Sequence, residues 1–248
     1  MNSFAVAAHS PAFSDAVCLY TADVTPLENS DLFRNVYWCV SEERRKKTDR
    51  LRFAKDKYLS LGVECLLLCA CRDFGVDYKR QRIVADAFSK PKFADSPLHF
   101  NLSHSGQRVL CAMSALPVGC DVEKRHAVSL NIAKRFFFED EYRAIEACQT
   151  QEEQEALFFK LWTLKESFMK CTGLGFRLPL NAFSVSAEVG EIRVKQFVDD
   201  AHYTLSERST DDGYQYAWCI KDETAGRRAY DVQWKQMELD RDLEQIQR

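Results

Sequence analysis

Between residues 58 and 74 apolar side chains recur at helical spacing: Leu59, Leu61, Val63, Leu66, Leu67 and Leu68 supply a core-facing surface, and Gly75 offers a C-terminal stop. Ahead of them, Ser41-Glu42-Glu43 has the form of a helix start. It is followed by Arg44, Arg45, Lys46, Lys47, Arg50, Arg52, Lys55 and Lys57, which give the helix a cationic face. Ser89-Lys90-Pro91 marks a turn, Phe100-Asn101-Leu102-Ser103-His104-Ser105-Gly106 a short strand running into a polar loop, and Val109–Ser114 another strand. Leu116-Pro117 breaks the pattern. Val118-Gly119-Cys120-Asp121-Val122-Glu123 then reads as a half-buried strand with Val118, Cys120 and Val122 on its covered side.

The second half of the chain is richer in helix. Ser129 caps a helix through about Phe136, Glu139–Cys148 forms a second, and Glu152–Cys171, the longest and most regular, ends at Gly173 and Gly175. Beyond them Phe183–Val185, Ile192–Val194 and Tyr216–Ile220 read as strands, and the charged C-terminal stretch is expected to end in a surface helix or to fray. No repeat of solenoid period and no low-complexity tract interrupts this order. The break near 115–118 has no flexible linker composition, so the pattern predicts two tightly packed lobes, 1–116 and 117–248, with a cleft between them.

Composition narrows the function classes. With 248 residues, 46% of them hydrophobic, the chain is long enough for a sizeable core, and its net charge of −3 leaves no global field to draw it to nucleic acid or an anionic membrane. Attraction to phosphate must therefore be local. The ten cysteines are scattered among apolar neighbours, as in Leu66-Leu67-Leu68-Cys69-Ala70-Cys71, which points to reduced core residues of a cytoplasmic protein. Cys65, Cys69 and Cys71 match no zinc spacing. Met1 to Val17 lacks a basic start followed by a sustained apolar run, and no stretch approaches the roughly 20 apolar residues that span a bilayer.

The candidate chemistry lies in three places. Alternation aims Asp121 and Glu123 out of one strand face, roughly 6.5–7 Å apart, where like charges repel unless a cation sits between them. Two solvated acids are the plainer reading of that hexapeptide. On the long helix, Leu161, Leu164 and Phe168 form a core stripe, while Phe158, Trp162, Glu166 and Lys170 recur at intervals of four on another face. Glu166 and Lys170 are there either an ordinary i,i+4 pair of about 0.3–0.5 kcal/mol or a carboxylate and a cation displayed for use. Asn101, Ser103, His104 and Ser105 crowd hydrogen-bonding groups beside Gly106, an arrangement suited to phosphate oxygens, although a lone loop histidine is often incidental. Three acids without histidine or thiolate partners favour a hard ion such as Mg²⁺, which recruits substrate phosphates. The basic 44–57 face, Lys90, the Ser103-His104 loop and Lys170 could all help to hold such a substrate. There is neither a GxxxxGK[ST] loop nor a glycine-rich kinase loop.

Asn101-Leu102-Ser103-His104-Ser105, Gly119-Cys120-Asp121-Val122-Glu123 and Trp162-Thr163-Leu164-Lys165-Glu166-Ser167-Phe168-Met169-Lys170 resemble, in order and spacing, the three signature motifs of the Sfp-type 4′-phosphopantetheinyl transferases. The resemblance extends to Ser41–Phe53, Lys90-Pro91 and Leu174–Val185, and so takes in most of residues 40–185. It implies an α+β fold of two similar, pseudo-symmetric α/β lobes with the active site in the cleft between them. The N-terminal lobe would contact the 3′-phosphate and adenosine of coenzyme A, and the C-terminal lobe would carry the metal site and the catalytic helix. The implied activity moves the phosphopantetheine arm of coenzyme A onto a serine of an acyl, peptidyl or aryl carrier protein and releases 3′,5′-ADP. Asp121, Glu123 and Glu166 would hold Mg²⁺, Glu166 would also be the general base, and Lys170 and Lys165 would stabilise phosphate charge. His104 and Ser103, with Arg44 and Lys47, match contacts to the 3′-phosphate and nearby groups, and Lys90-Pro91 matches a loop along the adenosine. The resemblance implies a monomer for a chain of this length.

Two departures stand out. Ser89 occupies a position where the family commonly has glycine, so the loop is expected to differ in shape, and Leu59 falls where the family places a phosphate-binding arginine, leaving Lys55 or Lys57 to substitute. Residues 124–138 combine Arg125, Lys134 and Arg135 with Phe136, Phe137 and Phe138, which suggests either a dock for an acidic carrier or an ordinary amphipathic helix. Another Mg²⁺-dependent phosphotransferase and an inactive module that binds coenzyme A or a carrier are the competing functions.

Overall fold

The computed structural model describes residues 16–86, 89–188, 191–223 and 230–246; most of the N-terminal segment Met1–Val17, read above for a leader, lies outside them. The first half of the chain forms β1 (Ala16–Asp23), α1 (Ser30–Cys39), α2 (Glu42–Asp49), α3 (Ala54–Asp73), β2 (Ile83–Ala85), β3 (Pro91–Phe93), β4 (His99–Ser105) and β5 (Arg108–Ser114). The second half forms β6 (Val118–Lys124), α4 (Leu130–Phe136), α5 (Glu139–Glu146), α6 (Gln151–Thr172), β7 (Ser184–Glu188), β8 (Glu191–Lys195), β9 (His202–Ser209), β10 (Tyr214–Asp222), β11 (Asp231–Met237) and α7 (Leu239–Ile246). Two compact units result, one of Met1–Val84, Pro91–Ala115 and Ala229–Arg248, the other of Ala85–Lys90 and Leu116–Arg228.

The division differs from a single cut at 116/117. Instead of fraying, the C-terminal stretch supplies β11, which pairs in parallel with β1 from Ala16↔Asp231 to Ala22↔Met237 and so belongs to the first unit. Charged residues in 231–242 mask that strand in the sequence, because its apolar positions are few and only half-buried.

In the first unit the sheet order is β11-β1-β5-β4, with antiparallel pairing of β1 with β5 and of β5 with β4. Helix α3 packs into its core with Tyr20, Leu61, Leu66 and Met113 fully buried. Every residue from Leu59 to Cys71 is buried, so α3 is a central helix covered all round, where periodicity alone suggested a one-sided one. Its polar members are satisfied internally: Ser60 shares a 3.0 Å hydrogen bond with Thr48. The helix drawn from Ser41 to Lys57 is in fact two, because residues 50–53 leave the helical path, and Lys55 and Lys57 stand on the first turn of α3.

The second unit repeats this plan. Its sheet order is β6-β10-β9, all antiparallel, with α6 packed against it. In both units a strand (β1 or β6) leads through a long helix (α3 or α6) to an antiparallel hairpin (β4–β5 or β9–β10), whose second strand pairs with the first. That shared topology is the pseudo-symmetry of the fold. Helix α6 starts at a capping box, Thr150 accepting from the Glu153 amide and Glu153 from the Thr150 amide, and stops at Gly173 with φ 76°. The described residues contain no helix long and apolar enough to cross a membrane.

Ser103, His104 and Ser105 are strand rather than loop. A two-residue turn at Gly106-Gln107, with Gly106 at φ 59°, lets β4 run on to Ser105, and His104 stands opposite Val109. At Ser89 the backbone has φ 68°, so serine adopts the left-handed conformation that glycine takes without cost. The Asp86–Lys90 turn closes around it through the Asp86 amide to the Lys90 carbonyl (2.9 Å) and the Lys90 amide to Asp86 Oδ1 (2.9 Å). Ser89→Gly is therefore expected to stabilise the protein, by about 0.5–1 kcal/mol once the extra freedom of glycine in the unfolded chain is counted. Urea unfolding checks it, and a lower midpoint would show that the serine is held there at no cost.

Candidate active site

The strand β6 and the helix α6 of the second unit carry the acidic residues. A side chain at Gly119 would collide with the Ser167 carbonyl oxygen and the Cys171 amide of α6, so it is glycine that lets the helix backbone lie directly on the strand. Gly119, Asp121 and Glu123 share that face by alternation. The acids thus point to the side α6 covers, and Val118 through Val122 are all buried, not merely alternate ones. Asp121 is 4% exposed, while Glu123 and Glu166 are half-buried.

Lys170 answers this charge. Its ammonium donates to Asp121 Oδ1 at 2.7 Å and to the Cys120 carbonyl at 3.2 Å. Burial pulls the Lys170 ammonium down, but Asp121 and its hydrogen bond outweigh that and leave it above its ordinary value. Glu166 moves the same way for the opposite reason: burial and then repulsion from Asp121, with a smaller push from Glu123, raise its carboxyl above the usual range against the pull of Lys170. Glu166 therefore feels both strand carboxylates electrostatically. Among the described residues no group of three or more histidine, cysteine, aspartate or glutamate side chains is arranged to hold a metal ion. Asp121, Glu123 and Glu166 each offer hard carboxylate oxygens, the ligand type Mg²⁺ takes when water and substrate phosphate complete its shell.

Two other lysines behave differently. The Lys90 ammonium donates to the Val118 carbonyl at 3.0 Å and the Lys170 carbonyl at 2.6 Å, tying the start of β6 to the end of α6, and burial holds it below its ordinary pKa. Lys165 lies next to Glu166 in sequence but does not join the acids. It is 0% exposed, with its ammonium 2.6 Å from Glu141 Oε1 and 2.7 Å from the Phe183 carbonyl.

The basic residues of the first unit cluster at α2, in a cavity whose lining includes neither Ser103 nor His104. Ser103 is buried on β4 and His104 exposed beside it. Ser41 caps α2 by accepting from the Arg44 amide, and a cavity of about 750 Å³ opens there, lined by Arg44, Arg45 and Lys47 on one side and Lys79, Arg80 and Arg82 on the other. At its base the buried Glu64 carboxylate takes Arg44 Nε at 2.5 Å, the Ser41 amide at 2.8 Å and the Tyr78 hydroxyl at 2.5 Å. Burial pushes the Glu64 carboxyl up, but Arg44 and these hydrogen bonds prevail and keep it ionised. Burial and Arg44 depress the Lys47 ammonium. Leu59 is core, and neither Lys55 nor Lys57 lines this cavity. The facing cations come instead from Lys79-Arg80-Gln81-Arg82, a run whose three charges in four residues were visible in the sequence but overshadowed by the longer basic stretch. Glu64 and Glu141 had no such signal, since only the fold brings each to its cation.

Comparison with known proteins adds an independent finding. The profile of the 4′-phosphopantetheinyl transferase superfamily (ACPS) matches residues 117–219. The 4′-phosphopantetheinyl transferase Sfp of Bacillus subtilis strain 168 is 36% identical over 185 residues, which cover 73% of this chain and 81% of that protein. The 4′-phosphopantetheinyl transferase psf-1 of Bacillus pumilus is 32% identical over 213 residues, covering 84% and 91%.

Proposed function

Because the chain belongs to the 4′-phosphopantetheinyl transferase family, we propose that it transfers the phosphopantetheine arm of coenzyme A to a serine of an acyl, peptidyl or aryl carrier protein and releases 3′,5′-ADP. One observation supports the assignment of the chemistry to α6 and β6: Glu166, its carboxyl raised by burial and by Asp121, stands in the same acidic group that Lys170 partly neutralises. A carboxylate with a raised pKa is a better proton acceptor near neutral pH. In this reading Glu166 takes the proton of the carrier serine as the serine oxygen attacks the phosphorus that bears pantetheine, and the bond from that phosphorus to the ADP oxygen breaks. Lys170 balances charge on the phosphates. Asp121, Glu123 and Glu166 would hold Mg²⁺, which when bound would neutralise the pyrophosphate. Arg44, Lys47, Ser103 and His104 would take the 3′-phosphate end, with Lys79, Arg80 and Arg82 as added cations; His104 is also proposed to act in catalysis, and Lys90 would keep its loop in place along the adenosine. Incubating apo carriers of several types with coenzyme A and Mg²⁺ and weighing them by mass spectrometry tests this; carriers that gain no phosphopantetheine mass would refute it.

We place carrier docking on residues 124–138. Phe137 is buried and belongs to the core, but Ile132, Phe136 and Phe138 are 39%, 39% and 40% exposed, and Arg135 lies over the Phe136 ring at 5.1 Å. An apolar centre rimmed by Arg125, Lys134 and Arg135 suits an acidic partner. Reversing Arg125 and Arg135 to glutamate should raise the KM for carrier about tenfold and leave that for coenzyme A unchanged; equal changes in both would place docking elsewhere. All ten cysteines are free thiols, most of them buried, which supports a reducing, cytoplasmic setting. We take the active form to be a monomer, and light scattering on the eluted protein would overturn that by returning a dimer mass.

A further inference from the structure

The Lys165–Glu141 pair is the most completely buried ion pair among the described residues, and the reaction outlined above leaves it without a task. Lys165 is 0% exposed and Glu141 5% exposed. Glu141 gathers three donors from three elements: Oε1 accepts from Lys165 Nζ of α6 and from the Val185 amide of β7, each at 2.6 Å, and Oε2 accepts from the Phe138 amide at the start of α5, at 2.8 Å. The Lys165 ammonium also donates to the Phe183 carbonyl at 2.7 Å and lies 4.4 Å from the centre of the Phe183 ring. Burial holds that ammonium below its ordinary value against the pull of Glu141.

Such a pair is a poor way to gain stability. Desolvating two charges costs about as much as their attraction returns, and apolar side chains of the same volume commonly do as well. Direction is what the pair supplies and an apolar contact does not. A leucine at 165 would let α6 rotate or slide by a fraction of an ångström at little cost, whereas an ammonium held between two oxygens at 2.6 and 2.7 Å fixes the rotation of the helix at that point. Residue 166 follows 165 by about 100° around the helix. Holding Lys165 against α5 and β7 thus sets the bearing of Glu166, and one turn later of Lys170, toward β6. The absent side chain at Gly119 sets how close α6 comes to the strand; nothing at Gly119 sets its rotation.

We propose that Lys165 and Glu141 are positioning residues that fix the rotation of α6 and so aim Glu166 at Asp121 and Glu123. The inference rests on the transferase reading for its kinetic consequence, though not for its geometric one. The test is the double variant Lys165→Met with Glu141→Gln, which removes both charges and leaves one amide oxygen, enough for either the Val185 or the Phe138 N–H but not for both. Mn²⁺ serves as the probe, its binding to the metal-free protein followed by electron paramagnetic resonance. The expected result is a folded protein whose melting temperature is lower by a few degrees for the one backbone N–H left without an acceptor, Mn²⁺ affinity down about tenfold, kcat down about 100-fold, and KM for carrier within about threefold. A folded variant that binds Mn²⁺ and turns over like the unaltered protein would overturn the proposal. So would a loss of activity with Mn²⁺ affinity unchanged. Should the double variant fail to fold, Glu141→Gln alone is read by the same Mn²⁺ measurement with the same two outcomes. If the unaltered protein binds Mn²⁺ but modifies no carrier, the transferase reading fails while the positioning role is still decided by Mn²⁺ affinity.

Discussion

Glu166→Gln is expected to lower kcat for transfer by about 10²–10⁴-fold while coenzyme A binding stays measurable, because the amide keeps the shape of the side chain and loses its ability to accept a proton. Isothermal titration with coenzyme A and a timed mass assay on carrier separate the two effects. The same substitution has a second, opposite consequence. The folded protein holds the Glu166 proton more tightly than the unfolded chain, since burial and Asp121 raise its carboxyl. The stability this group contributes is therefore present below its unfolded pKa and is lost as pH rises through the higher folded one. At neutral pH, with metal chelated, the ionised Glu166 is a burden beside Asp121 and Glu123, and glutamine relieves it. The variant should melt higher than the unaltered protein at pH 7 in EDTA, by about 2–4 °C for each kcal/mol relieved, and the gap should close toward pH 4. A variant that is both inactive and less stable at pH 7 would mean that Glu166 is held by contacts stronger than the repulsion. Full turnover would remove it from the base position.

The acidic group was legible because its residues are bound to regular elements. Alternation in β6 put Asp121 and Glu123 on one face, and the four-residue interval in α6 put Glu166 and Lys170 on another; the fold brings Lys170 to 2.7 Å from Asp121. What alternation did not reveal is which face α6 covers, since that depends on Gly119, whose packing partner lies some fifty residues away in sequence. The expectation for Lys165 came from its neighbours in the motif, yet in the fold Lys165 is buried with Glu141, a residue on α5 that no local pattern connects to it. Arg44 shows the same limit. Its place on the basic face of α2 was plain, but its partner Glu64 lies inside α3, where a single acid amid leucines and cysteines reads only as an interruption. Ser89 shows the reverse case, where the sequence suggested an altered loop and the backbone instead accepts the left-handed conformation with a side chain present. The two-unit plan was implied by resemblance, and the topology makes it physical: two copies of strand, long helix and hairpin, with β11 added to the first.

Gly119→Ala should cost more than any other single methyl group in the second unit. Most overpacked sites adjust by moving a side chain, and typically lose about 1–3 kcal/mol. Here the added carbon meets backbone on α6, the Ser167 carbonyl and the Cys171 amide, neither of which can turn away. Only a shift of the whole helix makes room. That helix is tied down on both sides: Lys90 and Lys170 bind it to β6, and Lys165 binds it to Glu141. Moving it away from β6 would stretch the Lys170–Asp121 contact and open the space between Glu166 and the two strand acids. We expect a loss of at least about 3 kcal/mol, seen as a melting temperature lower by roughly 6–12 °C, and transfer activity lost even in the fraction that stays folded. Two measurements decide it, calorimetry and Mn²⁺ binding at a temperature where both proteins are folded. A variant that melts normally and binds Mn²⁺ normally would show that α6 does not rest on β6 at Gly119. One that melts early yet binds Mn²⁺ and transfers at the normal rate when cold would show that the helix can retreat without disturbing the acids, and the close approach would then serve stability alone.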